Sequence, residues 1–185
     1  SVTRAMITFI LGGARSGKSR HAENLAKNNN KPVLYVATAT ASDNEMRERI
    51  AHHQQQRPAD WRLRECALEL TELLAEETKK EQTILVDCLT LWLNNQLFHF
   101  PAQNFTELFN GLIATARNPN ADIIFVANEV GLGIIPMGEI SRRFVDEAGR
   151  LNQALAQIAD EVIFIAAGLP LILKTCRHNS QAVDR

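Results

Sequence analysis

The most constraining feature of this 185-residue chain is the octet Gly12-Gly13-Ala14-Arg15-Ser16-Gly17-Lys18-Ser19. It fits the pattern G-x-x-x-x-G-K-[ST] and lies between an apolar, strand-like run, Met6 to Leu11, and a segment of helical periodicity, Lys18 to Lys27. That setting is what the pattern requires. Glycines let the backbone curl so that successive N–H groups face one anion, and the helix that follows adds the positive end of its dipole. In such a loop Lys18 reaches the β and γ phosphates and the Ser19 hydroxyl ligates Mg²⁺. A chain built around this octet needs a strand, a tight turn and a helix in that order, which points to a nucleotide-binding α/β fold.

The rest of the chain keeps the same rhythm. Short, nearly continuous apolar runs recur at Met6 to Leu11, Pro32 to Ala37, Thr83 to Val86, Ile123 to Ala127 and Val162 to Ala166, as expected of strands buried on both faces of a parallel sheet. Between them lie helical patterns at Asn44 to His53, Ala67 to Lys79, Leu89 to Phe98, Thr106 to Ala116 and Glu139 to Ala159. The alternation predicts a three-layer α/β phosphate-loop fold with right-handed crossovers and a mostly parallel sheet. Gly168-Leu169-Pro170 followed by Leu171 to Lys174 predicts a turn into a final edge hairpin. The expected organisation is one nucleotide-binding domain over residues 1–185, with a surface loop or arm at 53–60 and a flexible tail at 177–185.

Composition narrows the function. With 20 Lys+Arg against 21 Asp+Glu the net charge is -1, so no global positive field draws the chain to nucleic acid or anionic lipid, and any anion must be captured locally. No apolar run reaches the roughly 18 residues of a membrane-spanning helix, and the expected location is the cytoplasm. Cys66, Cys88 and Cys176 are widely spaced and form no Cys-x-x-Cys pair, which predicts reduced thiols rather than a disulfide frame or thiolate metal site.

Other residues bring chemistry with two readings each. Asp87 ends the strand Thr83-Ile84-Leu85-Val86, where an acid can hold Mg²⁺ or its water shell or can cap the next helix. Glu129 follows the strand Ile123 to Ala127 and reads either as a polarising acid or as a turn cap. His52 and His53 are adjacent, and since neighbours on a helix are turned by about 100°, at most one faces a small site. Such a histidine can be a base or a covalent carrier, or can simply close a solvated helix end. Arg143, Glu147 and Arg150 share one helical stripe, which fits a phosphate clamp or a charged outer face. Trp61 and Trp92 read first as packing residues.

Taken together the segments resemble the bifunctional adenosylcobinamide kinase/adenosylcobinamide-phosphate guanylyltransferase family of cobalamin biosynthesis. The likeness is carried by the octet extended through Arg20-His21-Ala22-Glu23, by Tyr35-Val36-Ala37-Thr38, Asp43-Asn44-Glu45-Met46, Arg49-Ile50-Ala51-His52-His53 and Arg57-Pro58-Ala59-Asp60-Trp61. It continues through Asp87-Cys88-Leu89-Thr90, the run from Asn128 to Pro136, Ala148-Gly149-Arg150-Leu151-Asn152-Gln153 and Ala167-Gly168-Leu169-Pro170. The resemblance implies a RecA-like fold and an enzyme that phosphorylates adenosylcobinamide with ATP or GTP. It then implies transfer of GMP from GTP to adenosylcobinamide phosphate, with release of pyrophosphate. It assigns His52 as the guanylyl carrier and Lys18 as the other catalytic residue, with His53 as the fallback if the register slips by one. Nucleotide contacts implied by position are Gly12, Gly13, Ala14, Arg15, Ser16, Gly17, Lys18, Ser19, Ala37, Thr38, Ala39, His53, Gln54, Gln55, Gln56, Glu65 and Asp87. Mg²⁺ would be held by Ser19 and Asp87, and the partners would be the corrinoid substrate and its phosphate, a nucleoside triphosphate and further copies of the chain in a homo-oligomer, a trimer. The Gln54-Gln55-Gln56 stretch and the tail carry no family signature. On residues alone, a simple phosphate-loop kinase and a nucleotide-dependent switch ATPase remain open.

Overall fold

A computed structural model describes residues 5–39, 48, 51, 55, 57–131 and 138–176. Seven strands form one sheet: β1 (Ile7–Gly12), β2 (Val33–Ala37), β3 (Arg62–Glu65), β4 (Thr83–Asp87), β5 (Asp122–Asn128), β6 (Glu161–Ala166) and β7 (Leu169–Lys174). The described helices are α1 (Lys18–Asn28), α2 (Leu70–Glu77), α3 (Leu89–His99), α4 (Phe105–Ala116) and α5 (Glu139–Ile158). Across the sheet the order is β3-β2-β4-β5-β1-β6-β7, parallel throughout except for the antiparallel β6/β7 hairpin. The expected α/β fold with its edge hairpin is therefore the observed one.

Alternation along the central strands divides the core in two. Phe9, Leu34, Val36, Ile84, Val86, Ile123 and Phe125 point to one face, where Leu70 and Leu74 of α2, Trp92 of α3, Leu112 of α4 and Leu155 of α5 cover them. Ile10, Val33, Tyr35, Leu85, Ile124 and Val126 point to the other, beneath Ala22 and Ala26 of α1. Trp92 is fully buried and its indole N–H donates to the Leu68 carbonyl at 2.9 Å, so it packs as the sequence predicts.

Two elements depart from expectation. β3 was not anticipated, because Arg62-Leu63-Arg64-Glu65 has no apolar run; it is an exposed edge strand paired with β2 on one side. The helix expected over Ala67 to Lys79 is confined to Leu70–Glu77. The carbonyls just ahead of it serve α3 instead: Asn95 donates to Ala67, and Trp92 and Gln96 both donate to Leu68. Among the described residues no helix is long and apolar enough to cross a membrane.

Candidate active site

Because β1 to β6 are parallel, their carboxyl ends lie along one edge, the edge where open α/β sheets bind ligands. β1 delivers the phosphate loop there. Gly12 permits no side chain: a Cβ would lie 2.4 Å from Ser16 Oγ and 2.8 Å from the Ile165 carbonyl. Gly17 has φ 93°, caps α1 and accepts the first helical bond from His21. Its neighbour in space is the β6/β7 turn, whose Gly168 N–H donates to the Ser16 carbonyl at 2.7 Å. The hairpin thus braces the loop from behind.

Within the loop, Lys18 is buried and its ammonium donates to the Gly13 carbonyl at 3.0 Å, folded back across the curl it serves. Ser16 Oγ is buried and has no hydrogen-bond partner among the described residues, a hydroxyl suited to an anionic oxygen. Ser19 is half-buried in the first turn of α1, and Ala14 and Arg15 are exposed.

The neighbouring strands bring the other predicted residues into line. In the β3/β2/β4 register Glu65 pairs with Ala37 and Ala37 with Asp87, so the three form one row at the carboxyl edge. Thr38 is fully buried, and its hydroxyl donates to the Cys88 carbonyl at 2.7 Å and accepts from the Cys88 amide at 2.9 Å. Its own amide donates to the Asp87 carbonyl and Asn95 donates to its carbonyl. That double clamp fixes the turn after β4. Glu65 is exposed and borders an acidic cleft of about 440 Å³ with Cys66, Glu69 and Glu72. No phosphate-loop residue lines the cleft, and its carboxylates make it a poor seat for phosphate.

Asp87 does not cap the next helix. The N-cap of α3 is Cys88, with no side-chain cap, and the Asp87 carboxylate instead accepts the Tyr35 hydroxyl at 2.7 Å on Oδ2. Burial first, and then the Asp87 charge beside it, push the Tyr35 phenol far above its ordinary value, so it is a permanent donor. The same causes, in the same order, push the Cys88 thiol up to about 11, with Lys18 opposing. Cys88 is therefore a thiol, and Lys18 is near enough to the end of β4 for its charge to be felt there.

Behind Tyr35 sits Arg57. Its guanidinium lies 3.6 Å from the Tyr35 ring centroid, and its Nε is 3.9 Å from a Glu23 carboxylate oxygen of α1. Both side chains of that ion pair are buried. Tyr35 and Arg57 each begin a segment that carries the family likeness, but neither is assigned a role by it. The available signal was a tyrosine in a strand buried on both faces, whose hydroxyl must find a partner.

The donor set suits Mg²⁺. Hydroxyl and carboxylate oxygens are the hard ligands that ion prefers, and it is commonly held by one or two protein groups together with nucleotide phosphates. Among the described residues no three His, Cys, Asp or Glu side chains form a cage, so an ion here would rely on that sharing.

His52, His53, Gln54 and Gln56 lie outside the described residues, while Gln55 is helical and exposed. Glu129 accepts from the Gly131 amide at 2.8 Å, and its own amide donates to the Gly12 carbonyl, so it closes the turn beside the phosphate loop. Arg142, Arg143 and Arg150 are exposed; Arg150 pairs with Glu147 and Arg143 lies over the Phe105 ring at 5.2 Å, which is the charged outer face.

Residues 8–173 match the family model described as cobinamide kinase / cobinamide phosphate guanyltransferase. The bifunctional adenosylcobalamin biosynthesis protein CobP of Pseudomonas aeruginosa is 49% identical over 169 residues, 91% of this chain and 98% of that protein. Among solved structures, the flagellar accessory protein FlaH of Methanocaldococcus jannaschii aligns with TM-score 0.54 at 16% identity, over 95% of this chain and 80% of that one. The RadB recombinase aligns with TM-score 0.51 at 13% identity, over 89% and 76%. These two show the fold, a RecA-like phosphate-loop architecture.

Proposed function

The chain belongs to the cobinamide kinase / cobinamide phosphate guanyltransferase family, and from that footing we propose that it performs both transfers at its single phosphate loop, with His52 carrying the guanylyl group from GTP to the corrinoid phosphate in the second. It is an enzyme of cobalamin biosynthesis that acts first as a kinase and then as a guanylyltransferase. The observation that most supports one shared centre is Asp87 at the carboxyl end of β4, on the sheet edge to which β1 delivers Lys18 and Ser19 and near enough to Lys18 for its charge to act on the adjoining Cys88.

In the first reaction the aminopropanol hydroxyl of adenosylcobinamide attacks the γ phosphorus of ATP or GTP and the nucleoside diphosphate leaves. In the second, an imidazole nitrogen of His52 attacks the α phosphorus of GTP and pyrophosphate leaves; a phosphate oxygen of adenosylcobinamide phosphate then displaces the histidine. One loop has to present two different phosphorus atoms. A covalent carrier eases the second task, because pyrophosphate departs before the large corrinoid phosphate must be aligned. Lys18 and the loop amides neutralise phosphate charge and hold the chain of phosphates in line. Ser19 and Asp87 would hold Mg²⁺, which supplies further charge neutralisation on the phosphates.

The test is incubation with Mg²⁺ and GTP labelled at the α phosphate, followed by denaturation and a count of protein-bound label. Acid-labile, alkali-stable label that is lost in His52→Ala is the expected result. Absence of label in the parent enzyme while the γ phosphate still reaches cobinamide would overturn the carrier.

A further inference from the structure

The reading of Asp87 as the acid that meets the nucleotide's divalent ion leaves one question: what orients a carboxylate at the open end of a strand. Its contacts are few. Oδ2 accepts the Tyr35 hydroxyl at 2.7 Å, and no amide of α3 is capped by it. A carboxylate rotates about its last bond at little cost, so a fixed donor on one oxygen decides where the other points. Tyr35 is itself fixed. It is 4% exposed and packs in the core beneath α1, and the Arg57 guanidinium carbon sits over it, 3.6 Å from the ring centroid. Arg57 Nε lies 3.9 Å from a Glu23 carboxylate oxygen, an ion pair longer than a hydrogen bond, and its side chain is 6% exposed. A buried guanidinium with a carboxylate on one side and an aromatic face on the other loses both contacts if it drifts toward solvent.

We propose that Tyr35 and Arg57 are positioning residues for the metal site: Tyr35 holds Oδ2 of Asp87 so that the remaining oxygen is presented to the nucleotide-bound Mg²⁺, and Arg57 holds Tyr35. The inference rests on the Asp87 reading above and adds two residues that touch neither nucleotide nor ion.

The test uses the full chain and a GTP analogue with a methylene bridge between the α and β phosphorus, which His52 cannot cleave. Its affinity is measured by calorimetry in excess Mg²⁺ and again in EDTA, and the ratio of the two is the readout. Tyr35→Phe keeps the ring and the Arg57 stack and removes only the hydroxyl. It should reduce the Mg²⁺-dependent gain by about tenfold or more, the range seen when a partner of a metal ligand is lost, with metal-free affinity changed by less than about twofold. Arg57→Lys keeps the charge for Glu23 but lacks a planar face for the ring, and should reduce the ratio in the same direction by less. Asp87→Asn sets the full loss, and adding Tyr35→Phe to it should reduce the ratio no further.

An unchanged ratio in both Tyr35→Phe and Arg57→Lys, where Asp87→Asn collapses it, overturns the positioning role alone. An unchanged ratio in Asp87→Asn overturns the metal reading on which the role depends. Equal losses with and without Mg²⁺ would mark Tyr35 as packing only and also overturn the proposal. Should Tyr35→Phe fail to fold, the Arg57→Lys ratio decides.

Discussion

At the amino edge of the sheet, Asp122 Oδ1 accepts the Met6 amide at 2.7 Å while Oδ2 accepts Asn29 at 2.7 Å and Lys31 at 2.9 Å. Asp160 accepts the Ile7 amide at 2.8 Å there, and Gln82 ties Glu77 to the start of β4. At the carboxyl edge, among the described residues, Asp87 takes one hydroxyl, Lys18 turns back on its own loop, and a buried Ser16 hydroxyl has no partner. Both edges carry acids and bases at strand ends. At the amino edge they join strand starts to one another; at the carboxyl edge, bonding capacity is held in reserve. Buried polar groups are normally satisfied within the fold, so such reserve among the described residues of the carboxyl edge is what an edge that meets a ligand would show. The contrast also separates a structural carboxylate from a functional one without reference to residue type.

The strongest way to break this comparison is at Lys18. Lys18→Ala removes the buried ammonium from the phosphate loop and should lower turnover in the kinase reaction by about 10²–10³, the cost of losing one preorganised charge-stabilising group. Steady-state phosphorylation of cobinamide checks it, and unfolding in urea should show little change, since among the described residues Lys18 bonds to its own loop.

Asp122 should behave in the opposite way. Asp122→Ala strands the Met6 amide and leaves Asn29 and Lys31 short of an acceptor, costing about 2 kcal/mol of stability with turnover unchanged. Urea midpoints and kinetics on the same preparation separate the two outcomes. Burial alone would raise this carboxyl, but the Lys31 ammonium and the Met6 and Asn29 donors outweigh it and hold it below the usual range. A depressed carboxyl stabilises the fold above the unfolded value and loses that contribution as pH falls through the folded one. Below about pH 4 the parent chain should therefore lose stability more steeply than Asp122→Asn, which urea titrations between neutral and acid pH would follow.

How far the sequence reaches differs between the two edges as well. The apolar runs around Phe9, Leu34 and Phe125 announce central strands, because burial on both faces leaves no polar position. β3 escaped, since an edge strand such as Arg62–Glu65 is stabilised by backbone pairing and has no compositional mark. The phosphate loop was legible because glycines and Lys18 are fixed by geometry that a motif can encode. Arg57 was not, because its meaning comes from Glu23 on α1 and Tyr35 on β2, which pairwise contact brings together and sequence spacing does not. The same holds for Thr38, whose hold on Cys88 spans 50 positions. The residues at 52 to 54 lie outside the described structure, and the role of His52 rests on the family likeness.

The smallest expected effect sharpens the comparison where the hairpin meets the phosphate loop. Gly168 has φ 76° and nothing within 4 Å of where a Cβ would stand, whereas Gly17 has φ 93° and the Gly168 Cα at 3.2 Å. Gly168→Ala thus meets conformational strain without a clash. It should cost about 1 kcal/mol, or a melting temperature lower by about 2–4 °C, and the amide that supports Ser16 is retained. Nucleotide affinity should be nearly unchanged. Gly17→Ala adds a steric contact to the same strain at the point where α1 begins, and should weaken nucleotide binding as well as stability. Melting curves with and without GTP distinguish the pair. Equal loss of nucleotide affinity in both would mean that the hairpin shapes the loop actively and does not simply brace it, since the alanine at 168 has no atom near enough to act except through the backbone.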